Sequence, residues 1–566
     1  MYAKRLEQLR SVMKLEDVQG FLVPQTDEFM GEYIPECAQR MQWISGFSGS
    51  SGTVVVLEGA ALALTNSIYT LQIQKEVDGS LYEYADVMNI KAHEWISKNT
   101  KKSDVIAYDP WLHTYSQIKI FEDRGLTMKP VTKNLIDVAR DKALSWPKTA
   151  VFTHDDRIVG RTSLEKRTLV ADELKKLGLD AFVISDPQSI AWMLNVRATD
   201  VPCTPLPLSY ATLYADGSVD WFIDDYRVSK DVLEHIGTDI RIAGPEFICP
   251  EVKTAGLDYL RSSIAFKNIL DRGGCDVVNH KDPCINIRAC KTDAEIKGMK
   301  AAHIRDGRAL TKALDWITKE AEKGGLTEMD VDKKLHEIRR ETNVLQDLSF
   351  PAIVGWAENG AVVHYRVSEE SSLPIQGHGL LLIDSGGQYL DGTTDVTRTI
   401  SLGGEPTDEQ KKMFTLVLKG HVAVASAVFP EGTTGAQIDV LARKALWDEG
   451  FDYGHGTGHG VGCYLSVHEE ATYIAPKSYE VFKPGMVISN EPGYYKEGEY
   501  GIRIESLVVV VETGDVLADG RKMLGFETIT MVPLHEPLID WDILSDKEIE
   551  WVTNYQARVG EALRSC

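Results

Sequence analysis

The stretch that decides the fold of the C-terminal half is Leu380-Leu-Leu-Ile-Asp384-Ser-Gly-Gly-Gln-Tyr-Leu-Asp-Gly-Thr-Thr-Asp395-Val-Thr-Arg-Thr-Ile400. Its two apolar arms flank a Gly-containing turn, a pattern that predicts a β-hairpin. The turn is centred midway between Asp384 and Asp395, so a hairpin would place the two carboxylates across from each other. Buried like charges a few Å apart need shared protons or a metal ion. The alternative is two loop aspartates that cap turns.

A second notable stretch is Gly454-His-Gly-Thr-Gly-His-Gly-Val-Gly462. Its density of glycine argues against a helix, so the histidines lie on extended or looped backbone. On a strand, positions i and i+4 point to the same face, and His455 and His459 can therefore address one site. His468 follows nine residues after His459. Glycine has no side chain to pack in a core, so three histidines close to a run of glycines predict a functional site.

Two glutamates complete the set of acidic candidates. Glu491 ends an apolar strand before a Pro-Gly turn, and Glu505 lies in the strand-like stretch Gly501-Ile-Arg-Ile-Glu-Ser-Leu-Val-Val-Val510. A carboxylate that faces a core is costly unless it is paired or bound to a metal. The alternative for Glu505 is an ion pair with Arg503, which lies on the same strand face two residues away.

Four carboxylates and one imidazole suit a pair of divalent cations, because four negative charges balance two M²⁺ ions. Oxygen-rich ligation with a single histidine favours Mn²⁺ or a similar ion. Two such ions acidify a shared water and produce hydroxide for attack on a carbonyl, while further histidines orient the carbonyl and steady the oxyanion. The predicted ligands are Asp384, Asp395, His459, Glu491 and Glu505.

The N-terminal half contains a unit of helix then strand that occurs twice. A helical pattern over residues 4–18 precedes the strand-like Gly20–Pro24, and a capping box at Thr162–Glu165 opens a helix before the strand-like Ala181–Ser185. A chain of 566 residues is long enough for two to four domains. We therefore predict two tandem α/β domains of related design. The alternative is that two unrelated α/β domains share this element order.

A third region opens at a capping box, Thr292–Glu295, which starts a long amphipathic helix. Two more helices are predicted over Thr407–Phe429 and Ala436–Glu449, and Gly-, Val- and Ile-rich strands lie between and after them. Because strands and helices do not alternate strictly, this region is predicted to be α+β with an antiparallel sheet. The predicted domains are residues 1–146, 147–291 and 292–566.

Composition narrows the partners and the compartment. The 61 Lys and Arg against 84 Asp and Glu give a net charge of −23, which repels nucleic acid and anionic lipid. With no apolar run of membrane-spanning length and no apolar leader, we expect no membrane partner and a cytoplasmic protein. The eight cysteines form no C-x-x-C pair and are expected to be reduced thiols.

The order of these motifs resembles the dinuclear metallopeptidases of the pita-bread (creatinase/aminopeptidase) fold. Nearly the full length is similar to the three-domain, cytosolic-type Xaa-Pro aminopeptidases (aminopeptidase P) of that family. The resemblance implies two creatinase-like N-terminal domains, a C-terminal pita-bread catalytic domain, peptide substrates with proline in second position, and a homodimer. The supporting stretches are Trp43–Gly52, Ile190–Arg197, Ala301–Gly307 and Leu538–Trp551.

The resemblance also implies roles for individual residues. Asp384 would ligate one metal alone, Asp395 and Glu505 would bridge, and His459 with Glu491 would complete the second ion. Glu491 would also be the general base that shuttles a proton. Beyond the ligands, the implied catalytic histidines and substrate-binding residues are His364, His455, His468, Tyr495 and Arg503.

Two stretches depart from the family pattern. Ser506 follows the implied bridging residue Glu505 where relatives often have an acidic or amide residue, a difference expected to loosen the surroundings of the ligand. Asn66–Tyr69 replaces a more usual Asp-Gly-Arg-Tyr-like stretch, which puts in doubt any contact that it makes across a dimer interface.

Four alternatives remain on the same fold. They are prolidase, which acts on Xaa-Pro dipeptides, a creatinase without metal, methionine aminopeptidase, and a non-catalytic binding protein. The intact ligand set argues against the creatinase and the binding protein. The roughly 290 residues before Thr292 favour the three-domain aminopeptidase over prolidase, and methionine aminopeptidase resembles the third region alone.

Overall fold

The computed structural model describes residues 1–140, 144–244, 248 and 250–564. The chain forms two compact units, one of Met1–His154 with Arg161–Ile285, the other of Asp155–Gly160 with the chain from Asn286 onward. The domain boundaries after residues 146 and 291 stay predictions. Among the described residues, no helix is long and apolar enough to cross a membrane.

The first part of the N-terminal unit is a sheet flanked by helices. Its helices are α1 Tyr2–Leu15, α2 Arg40–Ser45, α3 Thr70–Glu76, α4 Ala92–Asn99, α5 Tyr115–Asp123 and α6 Leu135–Ala139. Its strands are β1 Gly20–Pro24, β2 Thr53–Leu57, β3 Ala61–Thr65, β4 Glu83–Asp86, β5 Val105–Tyr108 and β6 Thr127–Pro130. They form one sheet in the order β4-β3-β2-β1-β5-β6.

The next part of the chain repeats this arrangement. Its helices are α7 Asp156–Val159, α8 Ser163–Leu177, α9 Pro187–Leu194, α10 Lys230–Ile236, α11 Ile264–Arg272 and α12 Pro283–Ala289. Its strands are β7 Phe152–Thr153, β8 Ala181–Ile184, β9 Val196–Arg197, β10 Tyr210–Tyr214, β11 Val219–Phe222, β12 Ile240–Ala243, β13 Thr254–Leu257 and β14 Asp276–Asn279. The main sheet has the order β12-β11-β10-β8-β13-β14.

The two six-stranded sheets of the N-terminal unit have the same topology. In the first sheet, the central strand β1 pairs antiparallel with β2 on one side and parallel with β5 on the other. In the second sheet, β8 pairs in the same way with β10 and β13. Both outer pairs are parallel in both sheets. The tandem design predicted from the repeated helix and strand unit is therefore present in the fold.

Local signals set the bounds of helix α8. The Thr162 hydroxyl accepts from the backbone N–H of Glu165, and the Glu165 carboxylate accepts from the backbone N–H of Thr162, as the capping box predicts. The helix stops at Gly178, whose φ of 69° is a left-handed conformation that glycine adopts without steric cost.

From Asp293 onward, the described part of the C-terminal unit combines five helices with antiparallel strands. The helices are α13 Asp293–Ala321, α14 Glu328–Arg340, α15 Asp408–Ala425, α16 Gly435–Trp447 and α17 Asp546–Arg564. The strands are β15 Asp347–Leu348, β16 Ile353–Trp356, β17 Gly379–Ser385, β18 Gly387–Tyr389, β19 Gly392–Thr393, β20 Val396–Leu402, β21 Val428–Pro430, β22 Gly458–Gly460, β23 Glu469–Ile474, β24 Val487–Asn490, β25 Gly493–Lys496, β26 Tyr500–Arg503, β27 Ser506–Val516 and β28 Lys522–Thr528.

Two antiparallel sheets of this unit carry the candidate residues. One has the order β16-β17-β20 and the other β21-β28-β27-β24-β22-β23. The apolar face of α13 packs with strands of the first sheet through Leu310, Leu314, Leu381 and Ile400. The predicted α+β architecture with antiparallel sheets is confirmed.

The helix predicted over Thr407–Phe429 is shorter than expected. It ends at Ala425, because Phe429 belongs to β21, where it pairs with Leu524. The Phe429 ring packs against Phe482 and Phe526, with ring centroids 5.5 and 5.0 Å apart. Tertiary packing of this ring overrides the helical pattern that continues through Val428.

Candidate metal centre and active site

The hairpin predicted around Asp384 and Asp395 forms, but its register differs from the expectation. Asp384, near the end of β17, pairs with Thr397 of β20, and Ser385 pairs with Val396. Asp395 therefore lies just before β20 and is not directly opposite Asp384. The short strands β18 and β19 extend the hairpin, with Tyr389 paired to Gly392, and this pairing moves the turn toward the C-terminus.

The other three predicted ligands come from the larger sheet. His459 lies in β22, Glu491 directly follows β24, and Glu505 directly precedes β27. One ligand atom each of Asp395, His459 and Glu505 lie within 4.8 Å of one another. The His459 Nε2 atom is 3.5 Å from Asp395 Oδ2 and 3.4 Å from Glu491 Oε1. The structure thus gathers carboxylates from two sheets around one imidazole.

Burial and mutual repulsion act strongly on these carboxylates. Burial and the charges of Asp395, Asp384 and Glu491 raise the pKa of Glu505 well above its usual range. Burial raises the pKa of Asp384 to about 6 against the opposing effect of Arg503, and burial also raises the pKa of Glu491. Such a group holds its charges at neutral pH only with compensating cations.

The donor set fits divalent cations. The Oδ1 atom of Asp384 is buried and accepts no hydrogen bond from any described residue. Oxygen donors from four acids with one imidazole match the preference of Mn²⁺-like ions. We therefore regard the residues present as suited to hold metal.

Arg503 does not pair with Glu505, so the alternative ion pair is wrong. Its Nη2 atom donates to Asp384 Oδ2 at 2.6 Å, and its Nη1 atom donates to the Tyr495 hydroxyl at 2.7 Å. Glu505 instead accepts from the Thr397 hydroxyl at 2.7 Å, while the Arg503 Nε–H donates to the same hydroxyl at 3.1 Å. Glu505 is left without a cationic side chain as hydrogen-bond partner among the described residues.

His455 and Tyr495 form a hydrogen-bonded pair beside Arg503. The His455 Nδ1 atom lies 2.7 Å from the Gly456 carbonyl oxygen, which requires Nδ1 to be the donor. The Nε2 atom then accepts from the Tyr495 hydroxyl at 2.9 Å. Burial and the Arg503 charge lower the pKa of His455 to about 3, and burial raises the pKa of Tyr495 to about 12. Both groups are neutral at pH 7.

The remaining histidines adjoin these groups. The His468 ring lies edge-on to the His459 ring, with centroids 4.3 Å apart. The charge of His364 contributes to the lowered pKa of His455, which places His364 in the electrostatic surroundings of this pair. The structure thus brings all the predicted site residues into one region.

Two hydroxyl residues of the site were missed by sequence reasoning. Ser489 accepts from the His459 backbone N–H at 2.9 Å and donates to Glu491 Oε1 at 3.1 Å. Thr397 links Glu505 to Arg503, as described above. The alternation of β24 places Ser489 two residues before Glu491 on the same strand face, a signal that could have found it.

Glu328 is a third missed residue. It is fully buried and accepts from the backbone N–H of Trp356 and Leu373, at 2.6 and 2.8 Å, and from the Tyr365 hydroxyl at 2.9 Å. These donors span the loop that carries His364. No local motif signals this role, because its donors are 28 to 45 residues away along the chain.

The residue that follows His468 is also held by ionic contacts. Glu469 is buried and contacts the Nζ atom of Lys291, and its Oε1 lies 3.3 Å from Arg288 Nε. Both cations come from the start of the C-terminal unit, before α13. This contact fixes the backbone beside His468.

The profile of Metallopeptidase family M24 matches residues 297–512, and that of its C-terminal region matches residues 522–565. Two Creatinase/Prolidase N-terminal domain profiles match residues 5–141 and 142–295. The chain is 38% identical to the protein named "Probable Xaa-Pro aminopeptidase P" of Aspergillus fumigatus, over 98% of this chain and 89% of that protein. The chain belongs to metallopeptidase family M24. The predicted creatinase-like domains and pita-bread catalytic domain are confirmed.

Solved structures agree with this membership. The X-prolyl aminopeptidase of Caenorhabditis elegans, described as a cytosolic enzyme with a di-nuclear active site, is 30% identical. It superposes with a TM-score of 0.92 over 100% of this chain and 96% of that chain. The prolidase of Pyrococcus horikoshii shares the fold at 23% identity and a TM-score of 0.51, over 65% of this chain and 99% of that chain.

Proposed function

We propose that this M24 protein is an aminopeptidase that removes the first residue of peptides with proline in second position. The observation that carries the proposal is the buried cluster of four carboxylates around His459. The likeness to Xaa-Pro aminopeptidase P over nearly the whole of both chains supports the substrate class.

In this proposal two divalent metal ions bind the cluster. Asp384 would hold one ion, His459 and Glu491 would hold the other, and Asp395 and Glu505 would be shared by both. When bound, such ions lower the pKa of a coordinated water and polarise a carbonyl. The orphaned Asp384 Oδ1 atom and the raised pKa of Glu505 support this assignment.

The chain's own groups then handle protons and orientation. A carboxylate oxygen of Glu491 takes a proton from the water whose oxygen adds to the scissile carbonyl carbon. It then gives that proton to the imide nitrogen as the C–N bond breaks, and its raised pKa suits this role. His364 and His468 orient the scissile carbonyl and steady its developing negative charge. Arg503 and the Tyr495 hydroxyl bind substrate, and they hold Asp384 and neutral His455 in place.

Proline explains why such a dedicated site is needed. An imide nitrogen has no N–H and its ring fixes φ, so peptidases that grip that N–H bind it poorly. A substrate with a free, positively charged N-terminal amine is favoured where that amine meets the Asp384 carboxylate. The opposite end of the site must stay open if longer peptides are to bind.

The test compares Xaa-Pro with Xaa-Pro-Yaa-Yaa peptides, each with and without N-acetylation. We expect the longer free-amine peptide to be cleaved after its first residue and the acetylated forms to be spared. Cleavage confined to the dipeptide would make the protein a prolidase. Equal cleavage of acetylated peptide would exclude an aminopeptidase.

The finer properties are also proposals. We propose Mn²⁺ as the metal, because an imidazole ligand suits it better than Mg²⁺. After chelation abolishes activity, Mn²⁺ should restore it more fully than Mg²⁺, and full activity of verified metal-free protein would contradict the mechanism. We further propose a cytoplasmic homodimer, and the compartment is supported by the C. elegans enzyme described as cytosolic.

A further inference from the structure

The N-terminal unit contains a cavity of about 460 Å³ that the peptidase function does not use. A volume of this size is typical of small-molecule sites. Five aromatic side chains line its wall, together with two carboxylates, Glu28 and Asp224, and two cations, Lys148 and Arg227. The wall residues used below are Glu28, Phe29, Trp111, Trp146 and Tyr210.

The aromatic wall is built around the buried Tyr210 ring. Phe29 stacks on Tyr210 with centroids 4.6 Å apart, and Trp111 lies nearly parallel to it at 6.1 Å. Trp146 meets Phe29 edge-on at 5.7 Å. Phe29, Trp111 and Trp146 are only partly buried, so part of their surface remains open to the cavity. Aromatic faces of this kind attract cations.

Glu28 supplies a carboxylate whose hydrogen-bonding capacity is only half used. Its Oε1 atom accepts from Arg40 at 2.7 Å. Its Oε2 atom is buried and accepts no hydrogen bond from any described residue. Arg40 also contacts Asp137 at 2.8 Å, so one guanidinium serves two carboxylates.

The cations in the cavity wall are already engaged. Lys148 pairs with Asp224 at 2.8 Å, and Arg227 forms a buried pair with Asp200. Among the described wall residues, Glu28 is therefore the acid with a buried oxygen left unsatisfied. An anionic ligand would be repelled by Glu28, whose one cationic contact, Arg40, is shared with Asp137.

We propose that this cavity binds a small organic cation, with the positive charge facing Glu28 and the aromatic rings and with the apolar part of the ligand against the remaining wall. The chemistry is that of a substituted ammonium ion, for which an aromatic cage with one carboxylate is suited. The site lies in the N-terminal unit and is independent of the metal cluster.

The experiment compares choline with its uncharged isostere 3,3-dimethylbutan-1-ol by isothermal titration calorimetry on the full-length, metal-loaded protein. The two probes have the same shape and differ in charge. We expect saturable binding of choline with a dissociation constant at least tenfold below that of the alcohol. No saturable binding of choline, or equal affinity for both probes, would overturn the proposal.

Variants locate the site. Glu28→Gln should lower choline affinity about tenfold and leave binding of the alcohol unchanged, whereas Glu122→Gln, an exposed acid on α5, should change neither. Unchanged choline affinity in Glu28→Gln would overturn the proposal. If Glu28→Gln fails to fold, Trp146→Leu decides: it should weaken choline binding at least fivefold, and an unchanged affinity would contradict the site. Peptidase activity should be unaffected in Trp146→Leu.

Discussion

Each half of the molecule buries acidic residues beside one arginine, but the two groups are satisfied differently. In the N-terminal unit, Asp27 accepts from the backbone N–H of Phe29 and Gly31, at 3.0 and 2.9 Å. Nearby, Asp109 accepts from the Asn134 side chain at 2.8 Å. Amide donors of the chain itself reach Asp109 and the Oδ1 atom of Asp27, as in ordinary turns and caps, while Asp27 Oδ2 accepts no hydrogen bond from any described residue.

In the C-terminal unit the acids face one another and an imidazole instead. Arg503 contacts Asp384, while Asp395, Glu491 and Glu505 surround His459, and Ser489 and Thr397 add hydroxyl donors. Acidic clustering alone therefore does not identify a metal centre. What distinguishes the two groups is whether backbone and amide N–H donors or an imidazole and other acids surround the carboxylates.

Among the variants that test this difference between the two groups of acids, Asp395→Asn is expected to have the largest effect. In the proposed metal centre both ions would share this carboxylate, so metal content and activity should be lost together, with activity reduced to background. Inductively coupled plasma mass spectrometry measures the metal content, and a peptide hydrolysis assay measures the activity. Asp109→Asn in the N-terminal unit is the matched control and should leave metal content unchanged. A metal-free but fully active Asp395→Asn protein would contradict the assignment.

His468→Ala separates a ligand from a helper. The variant should keep its metal and lose roughly a hundredfold in kcat, the scale of one oxyanion-stabilising donor. Metal analysis with steady-state kinetics checks both. If the variant is metal-free, His468 is a ligand and our description of the cluster is wrong.

Glu328→Gln tests a positioning residue. The amide can accept fewer of the hydrogen bonds that hold the loop around His364, so kcat should fall about tenfold, the scale expected for small misplacement of a catalytic group, with metal content unchanged. Glu337→Gln on the same helix, whose side chain is 62% exposed, is the control. Equal kinetics for the two variants would assign Glu328 a purely structural role.

Asp27→Asn is expected to have the smallest effect on peptidase activity, because it acts on the stability of the N-terminal unit. Burial raises its pKa to about 7 from 3.8, so the folded protein binds the proton more tightly than the unfolded chain. The contribution of Asp27 to the free energy of unfolding is fully present below pH 4 and is lost as the pH rises through 7. Each unit of difference between the folded and unfolded pKa values corresponds to about 1.4 kcal/mol. Asp27→Asn should flatten the dependence of the N-terminal unit's melting temperature on pH between 4 and 8. Scanning calorimetry measures these melting temperatures. The same dependence of melting temperature on pH in the variant and the wild-type protein would contradict this prediction.

Sequence reasoning succeeded where the signals were local. The capping boxes at Thr162 and Thr292 and the stop at Gly178 depend on contacts within one helical turn, and the structure shows all three. The residues of the candidate metal centre could be predicted because residue type and spacing carry their chemistry, and the structure brings them together. Family resemblance added the proposed roles of His364 and Tyr495, which no spacing rule supplied.

Sequence reasoning failed where distant partners decide. The hairpin register depends on the pairing of β18 with β19, and the end of α15 depends on Phe429 packing with residues more than fifty positions away. The partner of Arg503 is Asp384, 119 residues earlier in the chain, although strand periodicity offered the nearer Glu505. Local patterns do not contain these contacts.

The contact of Glu469 with Lys291 and Arg288 limits how the protein can be divided. A cut at the predicted boundary after residue 291 would remove both cations from a buried carboxylate that adjoins His468. An unpaired buried charge is strongly destabilising. A fragment of the peptidase half that begins at Thr292 is therefore not expected to fold stably on its own. Any autonomous fragment, or any fusion in which this half is transplanted, has to retain the segment from Arg288.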